Sequence, residues 1–562
     1  MRRLEPLLVL LGYTAGSLLL IGRFLLRAPD DAVVGSFGGD QGFFAWSMVH
    51  WLEVLRWNQT PFMTDRIDAP VGFNLAWATT IPGPAVLMAP VTALAGPLVT
   101  YNTLALAAPA LAAWTMYLLC RHITRDALAS IIGGWAFGFS SYMLGETLNH
   151  LNLALVAALP LIVLVVVRLV EGSLPRWRGT IVLGTLIVIQ FLIFTEVAAT
   201  ATLVGVIALV AALALGPSDL RLRIVRALPS IGAAYCLALL VVSPLLVAAF
   251  LHPNPLVDGI RPDLYPLDLQ NLLVPTVVTW VGGAWFREES LQFAGNLTEQ
   301  LGYIGPLLVL VALAGLWRWR RERFAWVITI ASGAAVVLAF GARLTIAGES
   351  SLWLPWDAVA RLPLIGLALP TRIVVFAWLG VALLTALFVM QRPGGLRRAS
   401  ATRGLITVLA LVFLLPVPSA GRWRTGLDTP PGIALGTATA EIPNNAVVLI
   451  LPYAFRGNGM YWQALAGQRY RQAGGYSAAT IPQAYARFPI VEAFYSDRLP
   501  PDADQELLRF LAYTGTTWVL IDARTPGPWT KLLREAGGRR DEVGGVIRFH
   551  FETAGRAQIE GT

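Results

Sequence analysis

Long apolar runs separated by short clusters of arginine constrain this chain more than any other feature. A bilayer is crossed by about 20 mostly apolar helical residues, with roughly 17 tolerated. Such runs lie at 6–22, 98–120, 128–144, 151–167, 180–195, 197–216, 228–251, 301–317, 324–340, 373–390 and, shorter, 405–417. They predict a mainly α fold, a polytopic transmembrane bundle of about eleven spans. Of the 562 residues only 14% are charged and 56% are hydrophobic, with a mean hydropathy of +0.63. A soluble domain carries roughly a quarter charged residues, so lipid is the solvent for most of this chain.

The net charge of +8 comes almost wholly from arginine, Lys531 being the single lysine. The arginines sit between the apolar runs, as topology requires, so no nucleic-acid partner is expected. The segment from Ile81 to Pro97 is apolar but holds Pro82, Pro84, Pro90 and Pro97, and proline interrupts helices. Read as a re-entrant or interfacial piece, it leaves the clusters at 121–125, 168–178, 221–226, 318–323 and 392–403 on the same side as Arg2 and Arg3. Counted as a span, it would put every later cluster outside. The first run lacks a convincing cleavage site before Asp30 and is expected to stay as an uncleaved span. Cys120 and Cys236 fall inside apolar runs, which excludes a disulfide framework and a CxxC metal site.

This orientation places loops at 27–97, 252–300 and 341–372 on the exoplasmic side, with a short turn at Gly145–His150. Residues 1–420 then form the membrane domain and 421–562 an exoplasmic domain. Strand-like runs at Ala446–Leu451, Trp518–Asp522 and Val546–Phe551, alternating with helical stretches near Asp502–Ala512 and Pro528–Glu535, predict a small α/β fold for the latter. The absence of a repeat with matched broken helices speaks against a secondary transporter.

The chemistry-bearing residues gather at span mouths. A glycine-rich turn, Gly35–Gly42, holds Asp40, which suits either helix capping or catalysis. The following stretch, Phe43–Trp57, places Phe44, Trp51 and Leu55 on one stripe and is expected in the membrane interface. Glu146 and His150 lie in the second turn, where ionisable groups are costly unless paired or functional. Glu196 opens a later span and is expected to pair with a cation or reach for water. Arg372 opens another, after Pro370-Thr371, and its fork suits phosphate as well as interfacial anchoring. His252, Asp258, Arg261, Asp263, Asp268, Arg287, Glu288, Glu289 and Glu299 read mostly as solvated loop charges. In the last domain Tyr453, Phe455, Arg456, Tyr461, Trp462, Arg469, Tyr470 and Tyr476 suit core packing first and glycan contact second.

With this topology the chain resembles the GT-C superfamily of membrane glycosyltransferases. The strings Pro97–Asn102 (PLVTYN), Cys120–Thr124 (CRHIT), Phe139–Tyr142 (FSSY), His150–Asn152 (HLN), Leu354–Asp357 (LPWD) and Pro370–Arg372 (PTR) are similar to those of bacterial GT-C-like and YfhO-like proteins. The resemblance implies an enzyme of the bacterial plasma membrane that moves a sugar from a polyprenyl-phosphate carrier to a glycan, lipid or protein acceptor. It implies Asp40 as general base, Arg372 and His150 on the carrier phosphate, and Glu146, Asn152 and Glu196 about the substrate. No Asp-x-Asp or Asp-Glu pair stands in the first loop, Asp30-Asp31 being the nearest. A metal-independent site is therefore expected, with a divalent cation left open. A flippase of lipid-linked glycans and a non-catalytic envelope scaffold are the competing readings, and convergence of Asp40, Glu146, His150 and Arg372 on one site separates the last from the first.

Overall fold

The computed structural model describes residues 4–26, 32–35, 39–252, 254, 264–362, 365–392, 396–417, 424–426, 429–477 and 481–551. Asp30, Asp31, Asp258, Arg261 and Asp263 lie outside them.

Each of the eleven apolar runs lies largely on helix, although 301–305 and 413–417 fall outside one. Among the described residues eight helices, not eleven, are long and apolar enough to cross a membrane: Glu5–Leu25, Ala89–Thr124, Ala127–Glu146, Leu151–Glu171, Arg176–Ile193, Thr195–Leu215, Ser218–Leu251 and Pro370–Val389. Pro306–Trp319 and Arg323–Ala339 are shorter apolar helices, and the run at 405–417 belongs to the 16-residue helix Arg397–Val412. Pro370–Val389 sits at the centre, buried almost all round, whereas Thr195–Leu215 and Ser218–Leu251 turn most of their surface outward. Leu240, Phe250, Leu310 and Leu409 are exposed on that outer surface, an arrangement suited to lipid rather than water.

The proline-rich segment 81–97 is helical. It forms Pro82–Leu87 and then the first turns of Ala89–Thr124. Pro82, Pro84 and Pro90 all fall in first turns, where the N–H they lack would have no helical partner. Gly96, at φ 84° and ψ 169°, breaks the helix in a conformation that side chains disfavour, and Pro97 starts the next stretch. Counting prolines overstated the disruption because their positions relative to helix starts decide it.

The arginine clusters meet at one end of the bundle. Arg121 pairs with Glu5 at 3.0 Å, His122 with Glu171 at 2.9 Å, and Arg323 donates to the Leu215 carbonyl at 2.7 Å. At the opposite end the loops and the C-terminal segment pack together.

That segment contains a five-stranded sheet in the order Arg539–Val543, Val546–His550, Thr516–Asp522, Val447–Leu451, Arg471–Gln472. Val447–Leu451 is buried at every position and parallel to both neighbours, as expected of a strand covered on both faces. Helices Pro489–Ser496, Ala503–Thr514 and Trp529–Glu535 pack on the sheet. Sequence reading missed Arg539–Val543, a strand made almost wholly of charged residues on the sheet edge. Its Gly544-Gly545 turn, with both φ positive, is the signal that could have shown the hairpin.

Gly39–Leu55 joins the two parts. Phe44 stacks on Tyr101 of the bundle at 6.3 Å, while Phe43, Trp46 and Val49 pack against Met460 and Ala464 of the C-terminal segment. The helix is therefore buried on both faces from Gln41 to Trp51. The expected interfacial stripe does not exist, because apolar residues on two faces meet protein on both. Trp46 is fully buried and donates to Gln463 Oε1 at 2.7 Å. The first loop also adds backbone bonds to the sheet edge, Ala69 N–H to Gln472 and Gln472 N–H to Arg66. Nearer the bundle, Asn102 of the PLVTYN string bonds the backbone of Ala32 and Val34, a structural use of that string.

Trp46→Ala is expected to weaken the seam between helix and sheet domain by about 3–5 kcal/mol, the usual loss for a buried tryptophan. Thermal unfolding in detergent with limited proteolysis checks this: the C-terminal segment should become cleavable below the temperature at which the bundle unfolds.

Candidate functional site

Five of the six predicted site residues come together at the end of the bundle opposite the arginine clusters. Four span mouths and the helix Gly39–Leu55 supply them. Glu146 ends Ala127–Glu146 and His150 follows one turn later, so His150 Nδ1 lies 2.7 Å from Glu146 Oε2, the i,i+4 neighbour. His150 Nε2 is 3.5 Å from Asp40 Oδ2. Asp40 sits in the first turn of its helix, where the helix dipole favours a carboxylate. On its other side, Tyr476 from the sheet domain donates its hydroxyl to Asp40 Oδ1 at 2.6 Å. Asn152, the sixth residue, is buried in Leu151–Ala154, and among the described contacts it does not join the cluster.

Arg372 anchors the other half. Its Nε and Nη2 donate to Glu299, the shortest contact being 2.5 Å, and its Nη1 donates to Glu196 Oε2 at 2.9 Å. Glu196 also accepts the Leu369 N–H, and Thr371 binds the Glu299 carbonyl. Glu196 thus pairs with a cation, the first of its two expected fates. Glu299 Oε1 lies 3.8 Å from His150 Nδ1, so a continuous chain runs Glu196, Arg372, Glu299, His150, Asp40. Four carboxylates with Glu146 face two cations.

The grouping of Glu299 with solvated loop charges is corrected here: its side chain is 3% exposed. Asp268 is also buried and binds the N–H groups of Gln270 and Gly348, whereas Arg287, Glu288 and Glu289 are exposed as expected. Glu299 had one usable signal, an ionisable residue just before an apolar run, the same position that drew attention to Glu196. Tyr476 had none beyond its place among the C-terminal aromatics. Of these, Tyr453, Tyr461, Trp462 and Tyr470 are core residues, and Phe455 stays exposed.

Burial alone would lower the His150 pKa, but the carboxylates of Glu146, Glu299 and Asp40 outweigh it and lift it from 6.5 to about 9. The surrounding carboxylates therefore favour the protonated imidazole. Burial, reinforced by Asp40, holds the Tyr476 hydroxyl well above its ordinary range, so it remains a donor. Among the described residues no three His, Cys, Asp or Glu side chains are arranged to hold a metal ion. The described carboxylates of the cluster make their contacts with His150, Arg372 and Tyr476.

No family model matches the chain, and no curated protein matches it. Solved structures do. The chain aligns with the arabinofuranosyltransferase AftD from Mycobacteria at a TM-score of 0.60 and 14% identity, over 96% of this chain and 39% of that one. It aligns with the oligosaccharyltransferase of Archaeoglobus fulgidus, in a complex with Zn and sulfate, at a TM-score of 0.55 and 12% identity, over 96% and 73%. The chain has the GT-C fold. It spans 39% of the length of AftD.

Two outcomes test the electrostatics. Glu299→Ala leaves Arg372 with half its partners, and breaking a buried pair in this way costs about 3–5 kcal/mol, read as a lowered thermal midpoint. The second concerns pH. A pKa raised on folding contributes stability that is complete below the unfolded value of 6.5 and is lost as pH rises through about 9. The thermal advantage of the unaltered protein over His150→Gln should be flat below pH 6.5 and disappear by pH 9 to 10.

Proposed function

We propose that this protein is a glycosyltransferase that moves a sugar from a polyprenyl-phosphate-type carrier to an acceptor hydroxyl at the exoplasmic face of a bacterial plasma membrane. The observation that carries this reading is the placement of Asp40. It is a carboxylate still 23% exposed, beside a buried histidine that Glu146 holds, at a helix-end cluster of a GT-C fold. The arginine clusters at the other end favour the cytoplasm for that side. The solved relatives at this fold level include enzymes whose names state arabinofuranosyl and oligosaccharyl transfer.

In the reaction an acceptor oxygen attacks the anomeric carbon while Asp40 takes the proton of that hydroxyl. The bond from the anomeric carbon to the carrier phosphate breaks, and its electron pair leaves with the phosphate. Such a single displacement inverts the anomeric configuration. The leaving group gains charge, so a cation beside it lowers the barrier most in a site with little water. His150 supplies that cation. Its Nε2 is farther from Asp40 than a full hydrogen bond, which leaves the proton a direction towards a phosphate oxygen. Glu146 holds the ring through Nδ1. Arg372 meets the phosphate by exchanging one of its Glu299 contacts, with Glu196 keeping the guanidinium in place. The sequence-based role of Asn152 at the substrate has no support from the cluster geometry. The reaction written this way is metal-independent, and the lipid tail of the donor lies against the apolar outer surface of the bundle.

Asp40→Asn is expected to lower transfer of labelled sugar from polyprenyl-phosphate donors by roughly 10²–10⁴-fold, the usual contribution of a general base. Purified protein in detergent or liposomes gives the rate, and full activity in the variant removes Asp40 from the reaction.

A further inference from the structure

Around Asp40 the wall opposite His150 belongs to the sheet domain, and it is built from aromatic rings. Tyr476 bonds Asp40 Oδ1. Phe455 lies beside it, ring centroids 6.3 Å apart at 64°, and Tyr495 packs behind Phe455 at 5.7 Å. The backbone fits as closely as the rings do. A Cβ placed on Gly39, next to Asp40, would come within 2.8 Å of the Tyr476 ring and 3.0 Å of the Phe455 Cα, so only glycine lets the helix start this near. The wall is anchored from below: Arg456, next to Phe455, pairs with Asp497 and binds the Phe494 carbonyl. Phe455 itself is 45% exposed, more open than Tyr476 and Tyr495 beside it, which are half-buried. The result is a half-open phenylalanine on a braced turn beside the candidate base.

Resting on the function proposed above, we propose that Tyr476 is a positioning residue for Asp40 and that the open face of Phe455 is an acceptor subsite, which makes the acceptor a saccharide. The Tyr476 hydroxyl fixes the carboxylate through Oδ1, which leaves Oδ2 turned towards His150 and the place where the acceptor proton is taken. A sugar ring presents a face of C–H groups to an aromatic ring and hydroxyls at its edge. Stacked on Phe455, it carries a hydroxyl towards Asp40 without any cation on the acceptor side. A peptide acceptor would call for polar groups matching its backbone, and the wall offers rings instead. The base comes from the first loop, the phosphate-facing cations from the bundle, and the acceptor wall from the sheet domain. None of the three parts is then sufficient alone.

The experiment uses full-length protein, a polyprenyl-phosphate sugar mixture labelled in the sugar, and oligosaccharides as acceptors, with rates measured against each substrate. Phe455→Ala should raise KM for the oligosaccharide roughly tenfold, in the range of an aromatic contact, with KM for the lipid donor unchanged. Phe455→Trp should restore it. Tyr476→Phe should lower kcat by roughly tenfold or more at unchanged KM for both substrates, since it loses only the hydroxyl that orients Asp40. Thermal midpoints of all three variants separate these effects from misfolding. If the unaltered protein transfers sugar and Asp40→Asn is inactive, but Phe455→Ala and Tyr476→Phe both behave as the unaltered protein, this inference fails while the proposed function stands. Transfer to peptides with no response to oligosaccharides overturns the saccharide assignment. Full activity of Asp40→Asn instead removes the function on which it rests.

Discussion

The ion pairs about Arg372 hold the membrane-end loops in register. One guanidinium takes Glu299 on one edge and Glu196 on another, and those residues open from segments 73 and 176 positions away. Glu299 in turn approaches His150, which holds Glu146 and faces Asp40. Each charge in the chain is costly to bury by itself and tolerable only because the next one is there. The cluster therefore fixes the mouths of four helices relative to one another at a place where no apolar packing could do so with the same directionality.

A second constraint meets it at Asp40. The helix Gly39–Leu55 is clamped between Tyr101 of the bundle and Met460 of the sheet domain, and its N-terminal turn is gripped by Tyr476. The sheet domain is consequently not an appendage on the last helix. It shares a core with the first loop through Ile67, Phe73 and Leu75, and Ala69 enters its main core. This sharing explains how an aspartate on a loop can be held to a single position: the loop is walled by two bodies of apolar contacts.

Much of this was legible beforehand. Apolar runs long enough for a bilayer read out because hydrocarbon imposes one rule along the whole chain, and every run lies largely on helix, although among the described residues eight helices meet the length of a span. Glu146, His150, Glu196 and Arg372 stood out as ionisable residues at span mouths, and Asp40 by its glycine-rich turn. The errors have physical sources too. Prolines at 82, 84 and 90 looked disruptive because their position relative to helix starts is not visible in a list of residues. Glu299 looked solvated because its loop is polar, and burial is set by what folds over it. Phe44 and Trp51 looked like an interfacial stripe because the sequence shows that a face is apolar but not what covers it.

The sequence by itself determined the solvent of the chain, the apolar runs that become helices, the end at which the arginines gather and the residues whose charge needs explaining. These follow from local composition, since each depends on a stretch of about 20 residues or on one side chain and its neighbours. Which charges meet was decided only by the tertiary structure. Tyr476 reaches Asp40 across 436 residues, and the contact depends on how two domains and a loop share a core, which no local pattern encodes.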